Sequence, residues 1–318
     1  MSLPLAGFKD IYAVHQVEKA LAELTEGASD ALRSTYEKMI ERGGTRFTIK
    51  PSRVPDFDAL DDDLPNFEQP LRDLKRQVAL AADSSDPLEI APMLLLGEPG
   101  IGKTHFARRV AALLGTGCAV VPMSALTAGW VLSGASSQWK NARPGKVFDT
   151  LFKGDYANPV IVVDEIDKAS STGQYDPLGA LYGLLEHDSA CEFVDEFVEL
   201  PIDCSHVVWV ATANDAAAIP EPILNRMNVY EIDAPDDEGV RRIAANLYSE
   251  IRDSHAWGAA FPEQPAADVM DRLAAYKPRE LRRLLVNAFG AAKLAGRDAL
   301  LPQDVEGERA RRRARIGF

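Results

Sequence analysis

The stretch GEPGIGKT, residues 97–104, carries the residues from which phosphate chemistry is most directly predicted. It fits the spacing G-x-x-x-x-G-K-[ST] at every constrained position, with an apolar strand pattern before it and a helical pattern after it. Lys103 is predicted to reach the β- and γ-phosphates of a nucleotide, and the Thr104 hydroxyl to bind Mg²⁺. The turn before them lets backbone N–H groups approach phosphate oxygens at a helix N-terminus. Its members are Gly97, Glu98, Pro99, Gly100, Ile101 and Gly102.

Two adjacent carboxylates follow an apolar run in PVIVVDEIDK, residues 159–168. They stand where a strand ends, at the edge where a parallel sheet presents ligands. Asp164 is predicted to join Thr104 at the Mg²⁺ ion, usually through water, and to complete the nucleotide-binding set. Glu165 is predicted as the base that orients and polarises an attacking water. The alternative for an acidic pair at a strand end is a helix cap.

A further apolar run, VVWVATAN, ends at Asn214. A neutral amide at the tip of a core strand, beside the Asp–Glu pair, can hold the attacking water near the γ-phosphate. The alternative is a turn-forming asparagine before Asp215.

Buried strands that alternate with helices surround these motifs. Apolar runs at PMLLLG, CAVVPM, PVIVVDE and HVVWVATAN are separated by helical patterns, which predicts a parallel sheet covered on both faces. After VYEIDAP the pattern is helical to the end of the chain. The fold class is therefore α/β, with a nucleotide-binding domain over residues 66–234 and a small α-helical lid domain over 235–318.

Residues 1–65 are predicted as a helical N-terminal segment with an acidic linker. Two helical patterns occupy residues 11–42, and the run DFDALDDDLP follows. Such a charge run indicates a solvated linker. The alternative is a docking strip for a basic partner.

Composition excludes several classes of protein. The 318 residues carry a formal charge of −13, which disfavours a broad nucleic-acid-binding surface. Three widely spaced cysteines form neither a zinc pattern nor a disulfide framework. We see no signal peptide and no apolar run long enough to span a bilayer, so we expect a cytoplasmic protein without a membrane partner.

Together these residues resemble the AAA+ ATPases, and most closely the ATPase module of Lon-type proteases, over roughly residues 66–310. The resemblance rests on GEPGIGKT, VIVVDEIDK, DPLGALYGLLEHD, and ATAN followed by IPEPILNRMNVYEI. It implies ATP as the nucleotide and Mg²⁺ as its cofactor. By the same match Arg226 is the arginine finger and Arg279, in YKPRELRRLL, is the second sensor arginine. Surface salt bridges are the alternative for both, and the adjacent Arg282 and Arg283 leave the choice of sensor open.

An arginine finger acts on the nucleotide of a neighbouring subunit. In related phosphoryl-transfer sites such an arginine is worth roughly 10³–10⁵ in rate. The resemblance therefore implies a homo-oligomer with head-to-tail interfaces, a ring that this family builds from six subunits.

A lone tryptophan lies in the polar stretch SQWKNARPGK. In Lon-type modules this segment carries an aromatic and then an apolar residue on a loop that faces the central channel. Trp139 matches the aromatic position, whereas Lys140 departs from the apolar one. The alternative for Trp139 is packing against its own domain or a subunit interface. SSTGQYDP, residues 170–177, resembles a second channel loop and equally suits a plain surface connection.

The expected function is ATP-driven remodelling of protein clients through a ring channel. No Ser–Lys peptidase domain follows the lid, so we expect no peptidase activity and a separate peptidase or adaptor as a possible partner. Two alternatives remain open: a nucleic-acid motor, which the basic cluster RARRRAR at residues 309–315 favours, and a switch whose nucleotide state controls partner binding.

Overall fold

The computed structural model describes residues 5–25, 29–82, 84, 87–125, 130–139, 141–169 and 176–306. Lys140, most of the proposed second channel loop and the basic cluster at residues 309–315 lie outside these ranges.

Nine strands are described. They are β1 Leu5–Asp10, β2 Thr45–Ile49, β3 Met93–Leu96, β4 Cys118–Pro122, β5 Val160–Asp164, β6 Phe193–Val194, β7 Pro201–Ile202, β8 Val208–Ala213 and β9 Asn228–Glu231. The α-helices of the same residues are α1 Val14–Glu23, α2 Asp30–Arg42, α3 Asp58–Asp63, α4 Glu68–Ala81, α5 Lys103–Leu114, α6 Trp130–Ser133, α7 Lys146–Lys153, α8 Leu181–Leu184, α9 His187–Ala190, α10 Glu221–Leu224, α11 Asp237–Asp253, α12 Ala267–Ala274 and α13 Pro278–Leu294.

Five strands form one parallel sheet in the order β4-β5-β8-β3-β9. All six residues of β8 are buried, as expected where helices cover both faces of a parallel sheet. Because the strands are parallel, β5 and β8 present their carboxyl ends at the same edge. The predicted α/β fold with a helix-flanked parallel sheet is confirmed.

Two compact units divide the chain. The first contains the sheet and consists of the described residues within 1–56, 72–96 and 103–231. The second consists of those within 57–71, 97–102 and 232–306 and is helical after β9. In the second unit, α11, α12 and α13 bury a core of its own that includes Tyr248, Leu285 and Phe289. The domain boundaries given above stay a prediction.

The N-terminal segment shares the core of the first unit. Val17 of α1 and Met39 of α2 belong to the same buried cluster as Val163 of β5 and Trp209 of β8. The segment also contains an antiparallel strand pair, β1 and β2, beside its two predicted helices. Residues 5–56 are therefore built into the unit that carries the sheet.

The structure corrects the prediction of a solvated acidic linker. Its residues form helix α3, and Phe57, Leu60 and Leu64 are buried within the second unit. These apolar residues recur at helical spacing, so they share one face while Asp58 and Asp62 are exposed on the other. The many aspartates of this stretch make its amphipathic helical pattern hard to recognise in the sequence.

No described helix is long and apolar enough to cross a membrane.

We expect Leu60→Ala to destabilise the protein by about 2–5 kcal/mol, because it removes a buried side chain from this face. Asp62→Ala, two residues away on the exposed face, should change the unfolding free energy by less than about 0.5 kcal/mol. Urea unfolding followed by circular dichroism measures both. Equal, small effects would show that the segment is a solvated linker after all.

Candidate nucleotide site

Helix α5 begins at Lys103, the lysine of the predicted phosphate loop. Its side chain is largely buried, and its Nζ donates a hydrogen bond of 3.0 Å to Oδ1 of Asn214, which follows β8. Burial lowers the pKa of Lys103, while the carboxylates of Asp167, Asp164 and Glu165 act in the opposite direction. The structure thus brings the predicted phosphate-binding lysine, the strand-end asparagine and the acidic pair to one place.

A carboxylate shared by two hydroxyl groups marks the predicted metal position. Oδ1 of Asp164 accepts hydrogen bonds from Thr104 Oγ1 at 2.7 Å and from Thr212 Oγ1 at 2.8 Å. Mg²⁺ prefers oxygen ligands, and it is often held by one or two protein groups together with substrate phosphates and water. Thr104 and Asp164 place two hard oxygen ligands in direct contact, so these are the residues that could hold the Mg²⁺ ion.

Glu165 adopts an uncommon backbone conformation. Its φ of 56° places it in the left-handed region, which costs a residue other than glycine about 1–3 kcal/mol. The backbone N–H of Glu165 donates to Thr212 Oγ1 at 2.9 Å, which helps to hold this conformation. Thr212 therefore contacts both residues of the acidic pair, with its hydroxyl donating to one and accepting from the other.

Sequence reasoning missed Thr212 and also Asp167. Thr212 lies two residues before Asn214, and side chains two apart on a strand share a face, so that spacing was an available signal. The Asp167 side chain is fully buried, and Lys168 Nζ lies 3.0 Å from its Oδ2. Neither Asp167 oxygen accepts a hydrogen bond from the part of the chain that the structure describes. The contact between Lys168 and Asp167 is thus an ion pair that lacks hydrogen-bond geometry.

The glycine-containing turn, residues 97–102, joins β3 to α5 and contacts two residues near the start of α13. Gly100 has φ 84°, and a Cβ there would lie 2.5 Å from Cδ of Arg279. Lys277 Nζ lies 3.2 Å from Oε2 of Glu98. Arg279 is thus the arginine that lies against the turn, whereas Arg282 pairs with Glu250.

Arg226 lies between α10 and β9 and makes its contacts elsewhere in the first unit. Its Nη2 lies 2.6 Å from Oε1 of Glu186, and its Nη1 donates to the carbonyl of Pro222 at 2.6 Å. The Arg226 Nε is buried without a hydrogen-bond partner among the described residues. The predicted finger is therefore held by an ion pair and a carbonyl of its own chain.

Trp139 lies on the loop between α6 and α7, as predicted. The residue is 44% exposed, and its ring meets that of Trp130 edge to face with centroids 5.6 Å apart. One side of the indole thus packs within its own unit while part of it faces solvent. Its predicted neighbour in the channel, Lys140, lies outside the described residues.

Comparisons with known proteins find Lon proteases among the relatives of this chain. A Lon protease of Halothermothrix orenii is 33% identical over 204 residues, which cover 63% of this chain and 26% of that protein. A peroxisomal Lon protease homolog 2 of Arabidopsis thaliana is 32% identical over 219 residues, or 68% of this chain and 25% of that protein. The chain thus spans about a quarter of the length of these relatives.

Among solved structures, Hsp104 with ATPγS and FITC-casein aligns over 89% of this chain and 51% of its own, with a TM-score of 0.61 and 18% identity. A mutant of Thermotoga maritima RuvB aligns over 80% of this chain and 71% of its own, with a TM-score of 0.53 and 16% identity. At such identities these likenesses show the fold alone. Residues 93–236 match the ATPase family associated with various cellular activities, so this part of the chain carries an AAA domain.

Proposed function

We propose that this protein hydrolyses ATP in a Mg²⁺-dependent reaction. The observation that carries the proposal is the cluster at the ends of β5 and β8, in which Thr104 and Thr212 share Asp164 and Lys103 contacts Asn214. Each residue type matches a task in phosphoryl transfer, where catalysis consists mainly of positioning and charge stabilisation. Mg²⁺, held by Thr104 and Asp164, would neutralise charge on the phosphates.

The protein's own residues have distinct roles in this proposal. Lys103 binds the β- and γ-phosphates, which requires its Nζ to exchange the Asn214 oxygen for phosphate oxygens. Asn214 is then available to hold the attacking water, and Glu165 orients that water and accepts its proton. Arg279, which lies against the phosphate loop at Gly100, contacts the γ-phosphate of its own subunit.

We further propose that sites are shared between neighbouring copies in a ring, most simply a hexamer. Arg226 acts as the finger toward the next subunit's nucleotide. Two contacts on its own chain fix the direction of the guanidinium, while 26% of the side chain stays accessible. A preoriented arginine loses less entropy when it binds a phosphate.

The ring is proposed to remodel protein clients, which Trp139 grips in the channel. A partly exposed indole offers a large, stiff contact area without reading sequence. The Hsp104 structure, solved with casein, has the same fold and supports a protein client by analogy. A separate peptidase or adaptor is the further partner in this proposal.

Thr212→Val should lower ATP turnover or apparent Mg²⁺ affinity about 10- to 100-fold, because the hydroxyl that orients Asp164 and Glu165 is lost at nearly constant volume. Thr212→Ser keeps the hydroxyl and should retain most activity. Steady-state ATPase assays over a Mg²⁺ titration measure both effects. Valine and serine variants with equal activity would show that Thr212 has only a packing role.

Arg226→Ala should reduce ATPase activity by roughly 10³-fold or more while ATP binding persists. Glu165→Gln should also bind ATP without turnover. Mixing the two variants should restore part of the activity, since some interfaces then combine an intact Glu165 with an intact Arg226. The control is Arg226→Ala mixed with the Arg226→Ala/Glu165→Gln double variant, which cannot form such an interface. Absence of recovery in mixed rings, confirmed by native mass spectrometry, would contradict a shared site.

Trp139→Ala should leave basal ATPase activity within about 2-fold and reduce the ATP-dependent unfolding of a fluorescent protein with an unstructured tail at least roughly 10-fold. The matched control is Gln138→Ala at the adjacent exposed position, which should unfold the reporter normally. DNA is added in a parallel assay. Strong stimulation of the ATPase by DNA, together with no effect of Trp139→Ala on unfolding, would favour the nucleic-acid motor.

A further inference from the structure

The loop that carries Trp139 is held at both ends by the segment that runs from β6 to β7. The chain enters the loop after Ser133, whose carbonyl accepts the backbone N–H of Glu196 at 2.6 Å. It leaves the loop at Gly145, whose backbone N–H donates to Oδ2 of Asp195 at 2.7 Å. Residues 193–202, here called the anchor segment, therefore contact both ends of the Trp139 loop.

Asp195 is the centre of this contact. Its residue is fully buried, and its second oxygen, Oδ1, accepts the backbone N–H groups of Phe197 at 3.0 Å and Val198 at 3.1 Å. Burial raises the pKa of Asp195 to about 6, while the three backbone hydrogen bonds act in the opposite direction. At neutral pH the side chain is thus a buried carboxylate whose charge is stabilised only by backbone donors in these contacts.

The ends of the loop are shaped around this carboxylate. Gly134 has φ 85°, and a Cβ at that position would lie 2.5 Å from Oδ1 of Asp195. A Cβ at Gly145 would collide with the carbonyl of Leu132. Glycines therefore stand at both ends because the two chain segments and the carboxylate approach too closely for any side chain.

The anchor segment is itself fixed to the rest of the first unit. Tyr36 of α2 donates its hydroxyl hydrogen to the carbonyl of Val198 at 2.7 Å, in a buried position. Next to the segment, Asp203 donates its backbone N–H to the carbonyl of Ile11 at 2.7 Å. The anchor segment is thus attached to α2 and, through Asp203, to the N-terminal segment.

We propose that Asp195 is a positioning residue for client handling: it locks the neck of the Trp139 loop to the anchor segment. Trp139 then moves with the first unit, to which the anchor segment is fixed, and force on the client is carried by a buried charge-assisted hydrogen bond. This inference rests on the proposed role of Trp139 in gripping clients. It adds a residue 56 positions away in the chain that touches neither nucleotide nor client (195 − 139 = 56).

The variant Asp195→Asn tests the lock. An asparagine has one carbonyl oxygen, which can keep the hydrogen bonds from Phe197 and Val198, but its NH₂ group then faces the Gly145 N–H and cannot accept from it. We expect amide hydrogen exchange in residues 134–145 to rise roughly 10- to 100-fold, the loss expected for one unsatisfied buried donor. Basal ATPase activity should stay within about 2-fold, and unfolding of the tailed fluorescent protein per ATP should fall toward the Trp139→Ala level.

The control is Ser137→Ala, which removes an exposed hydrogen bond of 2.6 Å from the same loop to Glu199. It should change neither exchange at residues 141–145 nor reporter unfolding. Unchanged exchange in Asp195→Asn would overturn the lock. If exchange rises but neither Asp195→Asn nor Trp139→Ala affects unfolding, the lock stands and the proposed role of Trp139 fails. If exchange rises and only Trp139→Ala impairs unfolding, the positioning role of Asp195 is overturned.

Should Asp195→Asn fail to fold, Tyr36→Phe provides the second test, because it removes one hydroxyl from the attachment of the anchor segment. Exchange should then rise in residues 193–202 and in residues 134–145 together. A rise confined to the anchor segment would also overturn the proposal.

Discussion

The sharing of one Asp164 oxygen by two threonine hydroxyls ties together the three elements on which the site depends. Thr104 belongs to α5, Asp164 ends β5, and Thr212 lies in β8. A parallel sheet places the ends of neighbouring strands at one edge, but it does not orient their side chains. The hydroxyl groups supply that orientation, and their partly buried position strengthens each hydrogen bond relative to water. Behind this edge, β5 and β8 are buried along almost their whole length.

The balance of charges around Lys103 explains why a lysine can be buried at this site. Burial favours neutral Lys103, and three carboxylates nearby favour the charged form. The three carboxylates carry like charges near Lys103, and one of them, Asp167, is paired with Lys168. In the proposed complex Lys103 would bind phosphate oxygens, and a Mg²⁺ ion held by Thr104 and Asp164 would compensate the carboxylate charge. The buried Asp167 belongs to this balance, although it lies outside the predicted set.

The sequence predicted those parts of the site whose residues lie together in one short stretch of the chain. GEPGIGKT and VIVVDEIDK each contain their residues side by side, and the parallel sheet follows from uninterrupted apolar runs. Thr212 and Asp195 could not be read in the same way, because their meaning depends on contacts with Asp164 and Gly145, 48 and 50 positions away. Helix α3 was missed for a different reason. Its aspartates dominate the composition, while the three apolar residues that fold it are too few to stand out.

The N-terminal segment contacts α7 at the end of that helix that is farther from the Trp139 loop. Arg46 of β2 is buried, and its guanidinium donates to the carbonyls of Leu151 and Phe152 near the end of α7. Burial lowers the pKa of Arg46, while Tyr12 and Asp155 act in the opposite direction, and its guanidinium also donates to the carbonyls of Gly43 and Thr45. A cation at the carboxyl end of a helix also interacts favourably with the helix dipole. Since α7 begins beside Gly145 at the neck of the Trp139 loop and ends beside Arg46, the N-terminal segment and the anchor segment contact one short helix at its two ends. These contacts attach the helix, and the loop joined to it, to the rest of the first unit.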